Sequence, residues 1–216
     1  MKKLLSVMAA AIAVGVFGAA TAASSVDLSV KGSITPAACT PILSKGGVVD
    51  HGKISINDLN PAEHLSTILP VATLALAVNC AASTLVAIKS RDNRAGSSAE
   101  WDGFTQNFGL GFVNGDTKVG WYLLKMDSAL AGGVTHSLIE SADGKTWFNA
   151  DSKGQVWQPG WLRSVATAAS STALPVPLQN LTVDLYIETT IQPRRHLPTG
   201  QEIPIDGSAT LDIVYL

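Results

Sequence analysis

Two cysteines, four histidines, five tryptophans and 17 carboxylates are the side chains of this 216-residue chain with chemistry to offer, and their spacing decides which reactions they could support. Cys39 and Cys80 are the only cysteines. Such a pair can be a disulfide, part of a zinc site or a redox couple. Zinc wants further Cys or His ligands at short spacing and a redox couple wants C-x-x-C; neither pattern occurs, so in an oxidising compartment the pair reads as one intramolecular disulfide. Closing a loop of about 42 residues would stabilise the fold by ~4 kcal/mol on the chain-entropy argument. His51, His64, His136 and His196 lie far apart in polar, turn-like surroundings, without H-E-x-x-H, G-x-S-x-G or a glycine-rich phosphate loop, and read as surface residues. Asp143-Gly144 and the run from Asn149 to Gly154 have something of a calcium loop, but Lys153 stands where an oxygen ligand is wanted and no glutamate closes it. A carboxylate pair for glycoside hydrolysis would have to be assembled from residues distant in sequence, and no local pattern marks one. No catalytic residue, no metal site and no cofactor is therefore expected. Trp157-Gln158-Pro159-Gly160-Trp161 places two indoles around a turn. Trp157 and Trp161 are candidates for stacking on a sugar ring, against the plainer reading that they cover the edge of a core.

The start of the chain reads as an export signal. Lys2 and Lys3 precede an apolar stretch from Leu4 to about Ala20, which ends in Ala20-Thr21-Ala22 and has no basic stop-transfer cluster after it. Residues 1–22 are taken as the signal, with cleavage after Ala22 or Ala23, leaving one domain's worth of chain at about 193 residues. Without Lys2 and Lys3 the 15 basic side chains fall to 13 against 17 acidic ones. A net charge of −4 with scattered basic residues offers nothing to nucleic acid.

The elements that must position these groups are strands. Val26, Leu28, Val30 and Ile34 alternate with Asp27, Ser29, Lys31 and Ser33, the period of a half-buried strand, with Gly32 inside the run. Pro36 then marks a break or an edge. Residues 73–79, 84–89, 108–113 and 118–126 come next as strands, the last two joined by the hairpin signal Asn114-Gly115. Residues 135–140, 147–149, 156–157 and 162–166 are shorter candidates, and residues 178–190 the longest. Ala209, Leu211, Ile213 and Tyr215 alternate with polar residues in a final strand that runs to Leu216. One helical turn is expected within residues 55–65, capped by Asn57 or Asn60. Many short strands, 19 glycines and one cysteine pair argue for an all-β, immunoglobulin-like sandwich.

The first alternating segment lies before the first cysteine and has no hairpin to join it to the next strand, so its apolar face must find a groove. Burying Val26, Leu28, Val30 and Ile34 would contribute on the order of 6 to 12 kcal/mol before ordering costs. Either it is an ordinary first strand paired within its own domain, with Gly32 at a bulge, or it serves another molecule. Leu28-Ser29-Val30-Lys31-Gly32-Ser33-Ile34-Thr35-Pro36-Ala37-Ala38-Cys39, with a cysteine seven positions after the glycine, resembles the donor segment of the periplasmic subunits of chaperone-usher fimbriae. Cys80 some forty residues on, and the terminal Leu211-Asp212-Ile213-Val214-Tyr215-Leu216 with its penultimate tyrosine, are similar to the same family. Residues 95–173 carry none of the likeness, which marks an outlying branch.

The resemblance implies a pilin-type sandwich over residues 36–216 that lacks one strand, and a donor extension over residues 23–35. In it Val26, Leu28, Val30 and Ile34 would fill pockets of the next subunit, with Gly32 where no larger side chain fits. Ala209, Leu211, Ile213, Tyr215 and Leu216 would form one wall of this subunit's own groove. It further implies a periplasmic chaperone, an outer-membrane usher and neighbouring subunits as partners, and a place in the shaft or an adaptor of a cell-surface fimbria. The rival is a secreted carbohydrate-binding or adhesive sandwich that meets a host or surface glycan through Trp157 and Trp161.

Overall fold

The structure, a computed structural model, describes residues 26–32, 38–62, 64–100, 106–150, 155–170, 172–198 and 200–216. The chain divides into two units, residues 1–34 and 35–216. Of the first, the described stretch 26–32 carries neither helix nor strand, and Val26, Leu28 and Val30 are 94%, 90% and 89% exposed. Ile34 and Pro36 lie outside the described residues, as do the expected signal and its cleavage site.

The second unit is all-β. Its strands are β1 (Cys39–Leu43), β2 (Thr67–Ile68), β3 (Ala72–Thr84), β4 (Val86–Asp92), β5 (Phe108–Gly109), β6 (Phe112–Val113) and β7 (Thr117–Lys118). After these come β8 (Gly120–Ala131), β9 (Val134–Thr135), β10 (Ser137–Ser141), β11 (Phe148–Asn149), β12 (Leu162–Ala166), β13 (Leu178–Ile191) and β14 (Ala209–Tyr215). One sheet runs β1-β3-β13-β8-β5 and the other β11-β10-β12-β4-β14, and every pairing between these strands is antiparallel. The order β1-β3-β13-β8 matches the A-B-E-D sheet of an immunoglobulin domain, and β4 beside β14 matches C beside F. The G strand that flanks F in a complete domain has no counterpart among the described residues.

The alternating patterns read from the sequence do the packing. Leu74, Leu76 and Val78 of β3, Leu124 and Met126 of β8, and Val183 and Leu185 of β13 face Val86, Ile88, Leu138 and Val165 of the other sheet in one continuous core. The opposite parity of the second sheet, Ala87, Ile139, Leu162 and Ala166, is covered on its outer side by Trp147. At β12 that sheet is therefore buried on both faces, and this strand is buried at every residue instead of alternating.

Several boundaries move. The expected strand at 73–79 continues to Thr84. The hairpin at Asn114-Gly115 forms with φ of 56° and 91°, but between the two-residue strands β6 and β7 and with a three-residue loop. The return strand starts afresh at Gly120. The helical turn expected within residues 55–65 is a 3-10 turn, Ile56–Asp58, and its cap is Ser55, whose side chain accepts from the Asn57 N–H. Asn60 instead serves the next turn along the chain, accepting from Ala62 N.

Gly120 shows how tightly the first sheet is built: a Cβ there would lie 2.1 Å from the Thr190 carbonyl oxygen on β13 and 3.1 Å from Leu110. Since the obstacle is backbone in the middle of a ladder, Gly120→Ala is expected to destabilise the fold by about 1 to 3 kcal/mol through overpacking, read from the midpoint of urea unfolding.

Candidate functional site: an open edge beside the last strand

β14 is an edge strand, and its register decides what that edge offers. Asn93 N donates to Ser208 O at one end of the β4–β14 ladder and Leu216 N to Leu85 O at the other. Residues 208, 210, 212, 214 and 216 therefore make the bonds to β4, and the N–H and C=O groups of Ala209, Leu211, Ile213 and Tyr215 point the other way, to the edge. The same residues turn their side chains inward: Leu211 and Ile213 pack against the main core, whereas Val214 packs on the outer cluster. An edge with apolar side chains below it and free backbone groups along it is what a protein normally covers.

Here it borders a groove. A cleft of about 250 Å³ opens between Leu43, Gly47, Val49 and His51 on one side and the 205–211 segment on the other. Its floor is core: Leu74, Leu124, Leu185 and Ile187, all from the inner face of the first sheet. A second cleft, of about 490 Å³, shares Val49, His51 and Ile205 with it and continues along Lys53, Ile54, Glu202 and Ile203. The groove thus lies where a strand added to β14 would run, over the aliphatic side chains that such a strand would cover.

The walls are fixed by polar contacts that the sequence does not advertise. His51 shares a 3.0 Å hydrogen bond with the Thr189 hydroxyl of β13, tying the 48–55 segment across the first sheet. Arg94 clamps Asp206 on the far wall, Nε donating to Oδ2 at 3.0 Å and Nη2 to Oδ1 at 2.8 Å, and this partner raises the guanidinium pKa further. Asp206 N donates to Leu110 O. Gly207 then crosses the Tyr122 ring, where a Cβ would sit 2.9 Å from Cε1. Tyr122, stacked on Phe108 with centroids 5.1 Å apart, is buried, and that burial raises its phenol pKa well above the usual value.

At the other end the two sheets meet. The Tyr215 hydroxyl accepts the Cys39 N–H at 3.0 Å, joining the end of β14 to the start of β1. Cys39 is disulfide-bonded to Cys80, its direct partner in the β1–β3 register, with Cα atoms 3.9 Å apart. Leu216 is 45% exposed. Gly32 has open space around it.

The tryptophan pair does not form a platform. Trp157 is wholly buried in the core and its indole N–H donates to Trp161 O, so neither face of its ring can meet a sugar; Trp161 is partly buried against the same core. The turn between them bends the first indole inward, an orientation that one-dimensional spacing does not carry. Asp143 caps its own turn, accepting from the N–H groups of Thr146 and Lys145 and from the Ser141 hydroxyl, which holds its pKa down at about 2. His136 is bonded to Val134 O, and among the described residues no group of three His, Cys, Asp or Glu side chains could hold a metal ion.

Comparison with known proteins adds relatives. Residues 28–118 match the family described as "Protein of unknown function (DUF1120)". The chain is 28% identical over 242 residues to "Protein GltF" of Escherichia coli (strain K12), covering 96% of this chain and 95% of that protein. It is also 28% identical over 226 residues to "Uncharacterized protein YhcF" of the same organism, covering 91% and 93%. Similarity to both relatives therefore runs nearly end to end, and neither name states an activity or a partner.

Proposed function

We propose that this protein is a non-catalytic structural subunit of a bacterial surface fibre, exported to the periplasm and polymerised by strand addition. In this reading the apolar segment Val26 to Ile34 of one copy enters the groove beside β14 of the next. A periplasmic chaperone strand holds the groove until an usher exchanges it for the donor. The observation that carries the reading is the β14 edge: four residues turn their backbone groups outward, and two of them, Ala209 and Leu211, border an open groove floored by core leucines. The exposed Val26, Leu28 and Val30 supply a matching period of two. The adhesive alternative loses its best support, since Trp157 is buried.

The test uses a synthetic peptide of residues 26–35 added to the purified full chain. Binding is expected, with unfolding midpoints that rise with peptide concentration. Exchanging Leu28 of the peptide for Ser is expected to weaken binding roughly ten- to hundredfold, the ratio that the ~1.5 to 3 kcal/mol of one buried aliphatic side chain supplies. A chain lacking residues 24–35 is expected to bind the peptide but to form no polymers. Normal polymers from that deletion, or a peptide that binds equally well without its apolar face, would sink the reading.

A further inference from the structure

The groove has two strand edges available to an incoming segment, β14 on one sheet and β1 on the other, and they are not equivalent. The bond from Ala81 N to Ala38 O sets the β1–β3 parity: residues 38, 40 and 42 bond to β3, and Cys39, Pro41 and Leu43 turn their backbone outward. On that outward side the Cys39 N–H is already taken by the Tyr215 hydroxyl. The next outward position is Pro41, which has no N–H to give. Of three outward positions, one donor is occupied and one does not exist. β14, by contrast, presents Ala209, Leu211 and Ile213 in unbroken alternation.

We infer, resting on the strand-acceptor reading above, that Pro41 and the Tyr215 hydroxyl bar the β1 edge, so that a segment added to this domain pairs with β14 alone and stops short of Tyr215. Proline on an outward strand position and a donor occupied within the same chain are both means by which sheets refuse edge pairing. The bar gives the groove a direction and an end. A second usable edge would let the same amphipathic segment settle in a competing register, because a period-two pattern fits any edge shifted by two residues. The Tyr215 bond also places the closed end beside the disulfide, where Cys39 cannot retreat from β3. Tyr215 and Pro41 are thus specificity-determining residues for a partner that is itself an extended, alternately apolar segment.

The experiment is amide hydrogen exchange on the full chain, alone and saturated with the peptide of residues 26–35, for the natural sequence, for Tyr215→Phe, and for Pro41→Ala combined with Tyr215→Phe. Both positions are at an exposed edge, and Phe keeps the ring. Without peptide, Tyr215→Phe is expected to speed exchange of the Cys39 amide roughly five- to tenfold, the share of one neutral hydrogen bond. With peptide, the natural chain should gain protection at Leu211 and Ile213 and none over residues 39–43. The double variant should gain protection at Cys39 and at the amide introduced at position 41. A double variant that gains no protection at Cys39 or at position 41, or natural-chain protection over residues 39–43, overturns the barred edge. A peptide that leaves Leu211 and Ile213 unprotected in every form overturns the strand-acceptor reading, and the inference with it.

Discussion

Replacing Arg163 with Met alone is expected to cost about 3 to 5 kcal/mol of folding stability, while replacing Arg163 and Glu140 together with apolar residues is expected to be neutral or stabilising by up to about 4 kcal/mol. The two residues are direct partners across β12 and β10, with Arg163 wholly buried and Glu140 nearly so, and Nη2 donates to Glu140 Oε2 at 3.0 Å. Arg163 shares the parity of Val165, so both charges sit between the sheets rather than on the surface. Burial pulls the Arg163 pKa down and the Glu140 charge pushes it back up. Gln155 adds to the network, its side-chain amide donating to Glu140 Oε1 and its backbone carbonyl accepting from Arg163 Nη2 at 3.3 Å. Among the described residues Nε and Nη1 of Arg163 find no acceptor, so the pair is incompletely compensated for its lost hydration.

That incompleteness decides the sign of the double change, and the orphaned Glu140 decides the size of the single one. Chemical unfolding of both variants measures both effects. Equal losses in the single and double variants would show that the packing of the long side chain, and not its charge, is what β12 needs.

Removing the disulfide is expected to have an effect of similar size. Cys39→Ser with Cys80→Ser should lower stability by about 2 to 5 kcal/mol, since the bond closes a loop between residues 41 positions apart. The loss should fall on β1 in particular: this five-residue edge strand has outward-facing residues and, among the described residues, only β3 as a strand partner. Freed from Cys80, β1 would also free the Cys39 N–H from Tyr215, and the groove would lose its closed end. Exchange protection over residues 39–43, compared with that in the centre of β3, separates a local detachment from a global loss. A variant with unchanged unfolding midpoint and unchanged protection there would show that β1 is held by packing alone.

Most of the strand content was legible because strand periodicity is a local property: alternation over residues 178–190 or 209–215 needs only neighbours, and β13 and β14 appear within a residue of where it puts them. The cysteine pairing was legible because two cysteines have a single solution. Trp157 was not, because whether an indole at a turn points out or in depends on β8, a strand far from it in the chain, to which its backbone is bonded at Leu124. Nor were the groove walls: residues 48–55 and 201–207 have no period, and contacts between residues far apart in the chain, such as Arg94–Asp206 and His51–Thr189 across 112 and 138 positions, give them a place. The alternating segment Val26 to Ile34 and the final strand each declare an apolar face in one dimension. That β14 lies at an edge, that its outward parity is the one carrying Leu211 and Ile213, and that Pro41 falls at an outward position of β1 are consequences of sheet order and register. Those are set by long-range backbone pairing, for which no short window of residues carries a signal.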